Sequence, residues 1–201
     1  MQDLKRIRFV TANYSYLQGL KWVPYGLWLL VVVALLQIPG RAHWMSWALA
    51  VATAAAVLAI LLIQRYYNRA FGRARPSLAH RLWEWGFAVV GGALALAAFW
   101  LDMTQKLPVN LVGLTCAAAI LCDYVRLNWY ARGWFRNYAL VMVLLVASVS
   151  CLPALGVPVW SALLIVLTVM GVILVVLGVL DHRLLRQAMK PALEVPDGQP
   201  V

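Results

Sequence analysis

Residues 159–180 read VWSALLIVLTVMGVILVVLGVL. Twenty-two residues pass without one ionisable side chain. A helix needs about 20 predominantly apolar residues to cross a hydrocarbon core of roughly 30 Å. The run therefore reads as a membrane span, and as the most uniformly aliphatic one it is expected to face lipid most. The whole chain agrees with it. Of 201 residues, 64% are hydrophobic and only 12% charged, against about half and a quarter in soluble domains.

Working outward, the same reading repeats. The uncharged turn Pro153-Ala-Leu-Gly-Val-Pro158 precedes the run and overlaps the end of a span over residues 135–155. Before that, LNWYARGW at 127–134 makes a polar turn, and a span over 107–126 opens at Leu107-Pro108. Residues 102–106 connect it to a span over 82–101. Two further spans fit residues 24–38 and 44–63, separated by the breaker Pro39-Gly40. Small residues recur at helical spacing. Ala48, Ala52 and Ala56 form one row, Ala50 and Ala54 another, and Gly91-Gly92 falls with Ala88 and Ala95. Such rows let helices approach closely in lipid.

The basic residues orient these spans. Fifteen of the 17 Lys and Arg fall on one side: Lys5, Arg6, Arg8 and Lys21 in the lead, Arg65, Arg69, Arg73, Arg75 and Arg81 in the loop 64–85, Arg126, Arg132 and Arg136 at the next turn, and Arg183, Arg186 and Lys190 in the tail. Only Arg41 and Lys106 fall on the other. Short cytoplasmic loops carry the excess of Lys and Arg. The expected fold is all-α: a polytopic protein of six transmembrane helices in three hairpins, with both termini cytoplasmic. Compact loops suggest a bacterial cytoplasmic (inner) membrane.

Two flanking segments complete the expectation. Residues 1–23 are too polar to span, but Ile7, Phe9, Val10, Tyr14 and Leu17 recur at near-helical spacing beside Lys5, Arg6 and Arg8. That pattern suits an amphipathic helix lying at the interface. Residues 181–201 form a polar tail. A repeat of about 60 residues is faintly visible, RYYNRAFGR at 65–73 against NWYARGWFR at 128–136. Three independent helix ends with ordinary aromatic and arginine anchors explain it as well.

No reaction chemistry is legible. The chain has no H-E-x-x-H, G-x-S-x-G or P-loop pattern. His43, His80 and His182 are scattered over both sides and point to no metal site, and no cofactor is implied. Cys116, Cys122 and Cys151 make no C-x-x-C pair and read as buried small hydrophobes. Asp181-His182 reads as a charge pair at the end of a helix. Coupled carriers place an ionisable group near mid-membrane, and no span has one. Asp123 comes deepest, about 24 Å into its span, where Arg126 three residues on offers an ion pair. The net charge of +10 is spread over several short loops rather than a basic domain, so no nucleic acid is expected.

What remains is a basic and aromatic face. Arg65, Tyr66, Tyr67, Arg69, Phe71 and Arg73 come from one loop, and Trp129, Tyr130 and Arg132 from the next. Such a face anchors on anionic headgroups or docks a membrane or cytoplasmic protein. The expected function is a non-enzymatic partner or regulatory subunit. The alternatives are a small transporter or channel without mid-membrane charge, and, more remotely, a lipid-acting enzyme that would need Asp123, Glu84 and a histidine in one cleft. Homo-oligomerisation is left open.

Overall fold

The computed structural model describes residues 18–38, 43–70, 78–105, 107–131 and 137–193, and for 43, 78–81, 83, 84, 127–131 and 188–193 it describes the backbone alone. Among the described residues every regular element is helical. Six α-helices follow one another: α1 Trp22–Leu36, α2 His43–Ala70, α3 Leu78–Thr104, α4 Leu111–Ala131, α5 Asn137–Ser150 and α6 Val159–Leu193. A 3-10 turn, Gly19–Lys21, leads into α1. Another, Leu152–Leu155, leads out of α5 and closes on Gly156, whose φ of 85° is in the left-handed region where a side chain is costly.

Four segments are long and apolar enough to cross a membrane: Gly19–Leu36, Trp44–Ala70, Trp85–Thr104 and Val159–Gln187. These mark a membrane-embedded protein. Helix α5 is apolar but only 14 residues long, about 21 Å. Helix α4 has 21 residues, with Asp123 and Arg126 in its second half.

Several boundaries differ from the sequence expectation. Helix α2 runs seven residues past Ile63, and α3 starts at Leu78, so most of the expected loop 64–85 is helix. Helix α4 begins at Leu111 rather than at 107, because the Asn110 side-chain oxygen caps it by accepting from Gly113 N at 2.8 Å. It continues to Ala131, into the expected turn at 127–134. Helix α6 extends to Leu193, into the expected tail. Residues 1–17, where the amphipathic helix was expected, lie outside the described residues.

The packing corrects a larger expectation. Helix α6 is the hub, not the lipid-facing helix. It packs on α1 most extensively, then on α5, α4 and the edge of α3, and Ala162, Leu163, Val166 and Ile173 are buried along it. Helices α1 and α2, α3 and α4, and α5 and α6 are in contact, but α1 on α6 and α4 on α5 are the more extensive pairs. Among the described residues α2 packs along α1 and its lead-in turn and meets α6 through Tyr66 and Tyr67 at its end, and α2 and α3 do not pack on each other.

Glycine sets the α1–α6 seam. A Cβ built on Gly26 falls 2.5 Å from the Gly171 carbonyl oxygen, and one on Gly19 would overlap the Gly178 carbonyl. The reciprocal substitutions on Gly171 and Gly178 meet Leu30 and the Gly19 carbonyl at 2.8 and 2.7 Å. Gly19 lies seven residues before Gly26, and Gly171 seven before Gly178, so the helices run antiparallel with two crossing points. The rows noted in the sequence behave differently. Gly91 and Gly92 meet nothing, Ala50 and Ala54 are exposed, and Ala48, Ala52 and Ala56 are half-buried. Cys116 is partly buried, but Cys122 and Cys151 are exposed free thiols, contrary to their expected burial.

Candidate functional site

Polar side chains gather at the two ends of the bundle. At one end, α3 finishes beside the start of α4. Asp102, at the last turn of α3, is buried and accepts backbone N–H groups from Leu111 at 2.8 Å and Val112 at 2.9 Å. A helix N-terminus leaves its first N–H groups unpaired and carries partial positive charge, so a carboxylate there is well satisfied. Asn110 N donates to Ser150 O at 2.7 Å, tying α4 to the end of α5. Gly113 sits against the Ser150 side chain, where a Cβ would overlap Oγ. This end is a helix-joining device. The Asn110 side-chain nitrogen is its one buried group with no hydrogen-bond partner among the described residues.

The opposite end is built around consecutive residues of the hub helix. Asp181 is buried and accepts a hydrogen bond from the Tyr138 hydroxyl of α5. His182 points to α2 instead, with Nδ1 2.9 Å from the Tyr67 hydroxyl oxygen. Successive helical side chains are splayed by about 100°, so one turn of α6 grips two helices. The Leu20 N–H donates to the same Tyr67 oxygen at 3.3 Å. Tyr67 is fully buried, and its ring meets His182 edge-on at 5.8 Å. Tyr66 lies against both, 5.5 Å from Tyr67 and 6.2 Å from His182 between ring centroids.

These contacts revise the reading of two motifs. Asp181-His182 is not a helix-terminal charge pair: the helix continues for 11 residues beyond His182, and each side chain bonds to a tyrosine of another helix. Tyr67 is fully buried and so cannot contribute to an exposed docking face. The sequence offered a hint in the Tyr66-Tyr67 doublet: on a helix, adjacent residues cannot share a face.

Arg65, Tyr66 and Arg69 are exposed. With Leu62 and Ala70 they line an open depression of about 460 Å³ at the end of α2. Arg183 and Arg186 are exposed on the neighbouring turns of α6. Phe71, Arg73 and Arg132 lie outside the described residues, as do the side chains of Trp129 and Tyr130. Asp123 and Arg126 are both half-buried one turn apart on α4, and each has an interaction partner. Tyr124 next to them is buried and donates to Asn137 Oδ1 at 3.2 Å, closing α4 onto α5. The Glu84 side chain, needed for the lipid-enzyme alternative, is outside the described set.

Among the described residues no group of three or more His, Cys, Asp or Glu side chains could hold a metal ion. Of the hydroxyls between the two ends, Ser148 donates to Leu144 O and Thr168 to Leu164 O within their own helices, while Thr53 donates to Leu49 O and accepts from Trp28 Nε1 of α1 at 3.0 Å. Compared with known protein families, curated proteins and solved structures, the chain matches none.

Proposed function

We propose that this chain is a six-span protein of a bacterial inner membrane, with both termini cytoplasmic, acting as a non-enzymatic partner or regulatory subunit. Its working surface is the basic and aromatic end of α2. One observation carries the reading. The basic end of α2 lines an open depression, while Tyr67 beside it is buried and pinned to His182 of the hub helix. A helix fixed along one edge, with arginines outward, is a surface offered to something outside the chain. The transport alternative has less support, since the buried polar side chains stand at the two ends of the bundle and the hydroxyls between them bond to helix carbonyls or to a neighbouring indole.

Two experiments test this. A reporter fused after Val201 is expected to be active only in its cytoplasmic form; an extracytoplasmic signal would sink the six-span orientation. Purification from native membranes in mild detergent is expected to recover one reproducible companion, and its recovery should fall with the double change Arg65→Glu and Arg69→Glu. Recovery of a lone monomer would count against a partner subunit, as would a companion indifferent to those changes.

A further inference from the structure

We propose that the depression at the end of α2 is a discrete binding site for one anionic phospholipid, its phosphate held between Arg65 and Arg69. The inference rests on the membrane reading above and names a ligand for that surface. Three features carry it.

The first is spacing. Arg65 and Arg69 stand four residues apart, on one helix face about 6 Å along the axis, and both are exposed. Two guanidiniums at that separation can share one phosphate, each through a pair of parallel N–H donors. The second is the frame. Tyr66 lies between them in sequence, its ring against Tyr67 and His182. The Tyr67–His182 bond ties this turn of α2 to the hub helix, so the backbone carrying the arginines is held. Exposed Arg183 and Arg186 on α6 add to the positive field. The third is the floor. Leu62 opens one side of the depression and continues into the exposed apolar face of α2 through Leu61 and Leu58. Acyl chains attached to the phosphate can lie along that face. A soluble phosphate would use the arginines and leave the floor bare, so the lipid is the better match.

The full chain is reconstituted in nanodiscs of mixed phosphatidylcholine and phosphatidylglycerol. Lipid retained on the released protein is then counted by native mass spectrometry. The expected result is about a tenfold preference for phosphatidylglycerol, the scale of two interfacial arginines after screening. It should be lost with Arg65→Gln plus Arg69→Gln and kept with Arg183→Gln, which removes an equal single charge outside the depression per substitution. Equal retention of both lipids would overturn the site. So would a loss with Arg183→Gln as large as with Arg65→Gln alone, since that is attraction to net charge only. In a parallel arm, delipidated protein in neutral detergent is titrated with inorganic phosphate. Saturable binding there that the double variant abolishes would assign the site to a soluble anion and overturn the lipid. Companion recovery and the Val201 reporter are read separately, so lipid selectivity can fail while the subunit reading stands.

Discussion

The Tyr67 hydroxyl accepts the Leu20 N–H and lies 2.9 Å from His182 Nδ1. One oxygen therefore joins the lead-in turn of α1, the end of α2 and the hub helix. Replacing Tyr67 by Phe keeps the ring and deletes the oxygen, so Leu20 N–H and His182 Nδ1, both half-buried, lose that partner. A lost hydrogen bond costs about 1 kcal/mol, and a buried group left unpaired about 1–3 kcal/mol. Tyr67→Phe is thus expected to destabilise the protein by about 1–3 kcal/mol, read as a lower unfolding midpoint in mixed micelles. Tyr66→Phe next to it, on an exposed ring, is expected to stay within about 0.5 kcal/mol of the parent. If the two variants behaved alike, the bond would be irrelevant to folding. The doublet also shows where sequence reading stops. Composition could say that two tyrosines stand at a membrane boundary, but which one turns inward depends on where α6 lies.

At the scale of the helix, the α1–α6 seam makes a sharper contrast. A methyl on Gly26 would meet the Gly171 carbonyl at 2.5 Å, and both helices are held there by a second glycine pair one heptad away. Overpacking of this kind costs about 1–3 kcal/mol, more than the gain of up to ~1 kcal/mol from putting Ala in place of Gly in a helix. Gly26→Ala is expected to destabilise the fold and to loosen α1 from α6. Gly92→Ala, where nothing lies within 4 Å, is expected to be neutral or mildly stabilising. The check is equilibrium unfolding of both variants in the same detergent; a neutral Gly26→Ala would mean that the helices are not so close. The helices themselves were legible as apolar runs with breakers between them. Their neighbours were not, because lipid is as apolar as Leu and hydrophobicity does not separate the inside of a bundle from its outside. Hence the greasiest helix, α6, could be read as lipid-facing when it is the hub. The usable signal was the seven-residue repeat Gly19–Gly26 with Gly171–Gly178. The eye goes instead to the denser rows Gly91-Gly92 and Ala50–Ala54, which are open. The exposure of Arg65 and Arg69 was legible, because charge at a helix end stays exposed wherever its neighbours lie.

For the whole molecule, the aromatic residues measure thickness. Trp44 and Trp47 stand at the start of α2, Trp100 near the end of α3 and Trp160 at the start of α6, all exposed. The antiparallel run of the helices brings these to the end that holds Asp102. Trp22, Trp85 and Tyr66 are exposed at the end that holds Tyr67. From Trp44 to Tyr66 along α2 is 22 residues, about 33 Å, and from Trp85 to Trp100 along α3 is 15 residues, about 22 Å. These lengths bracket a hydrocarbon core of roughly 30 Å, and indoles favour its two boundaries. The protein should therefore sit with two aromatic girdles at the interfaces and apolar side chains of α2 and α3 against acyl chains between them. Brominated lipids test this, because bromine quenches indole emission only at close range. With Trp28, six residues deeper along α1 than Trp22, replaced by Phe, bromines high on the acyl chain are expected to quench most of the emission and bromines near the bilayer centre much less. Stronger quenching from the centre would mean that the helices lie across the bilayer at some other angle. No quenching from either depth would mean that the exposed indoles are covered by protein, and the open faces of α2 and α3 would then have to be interfaces.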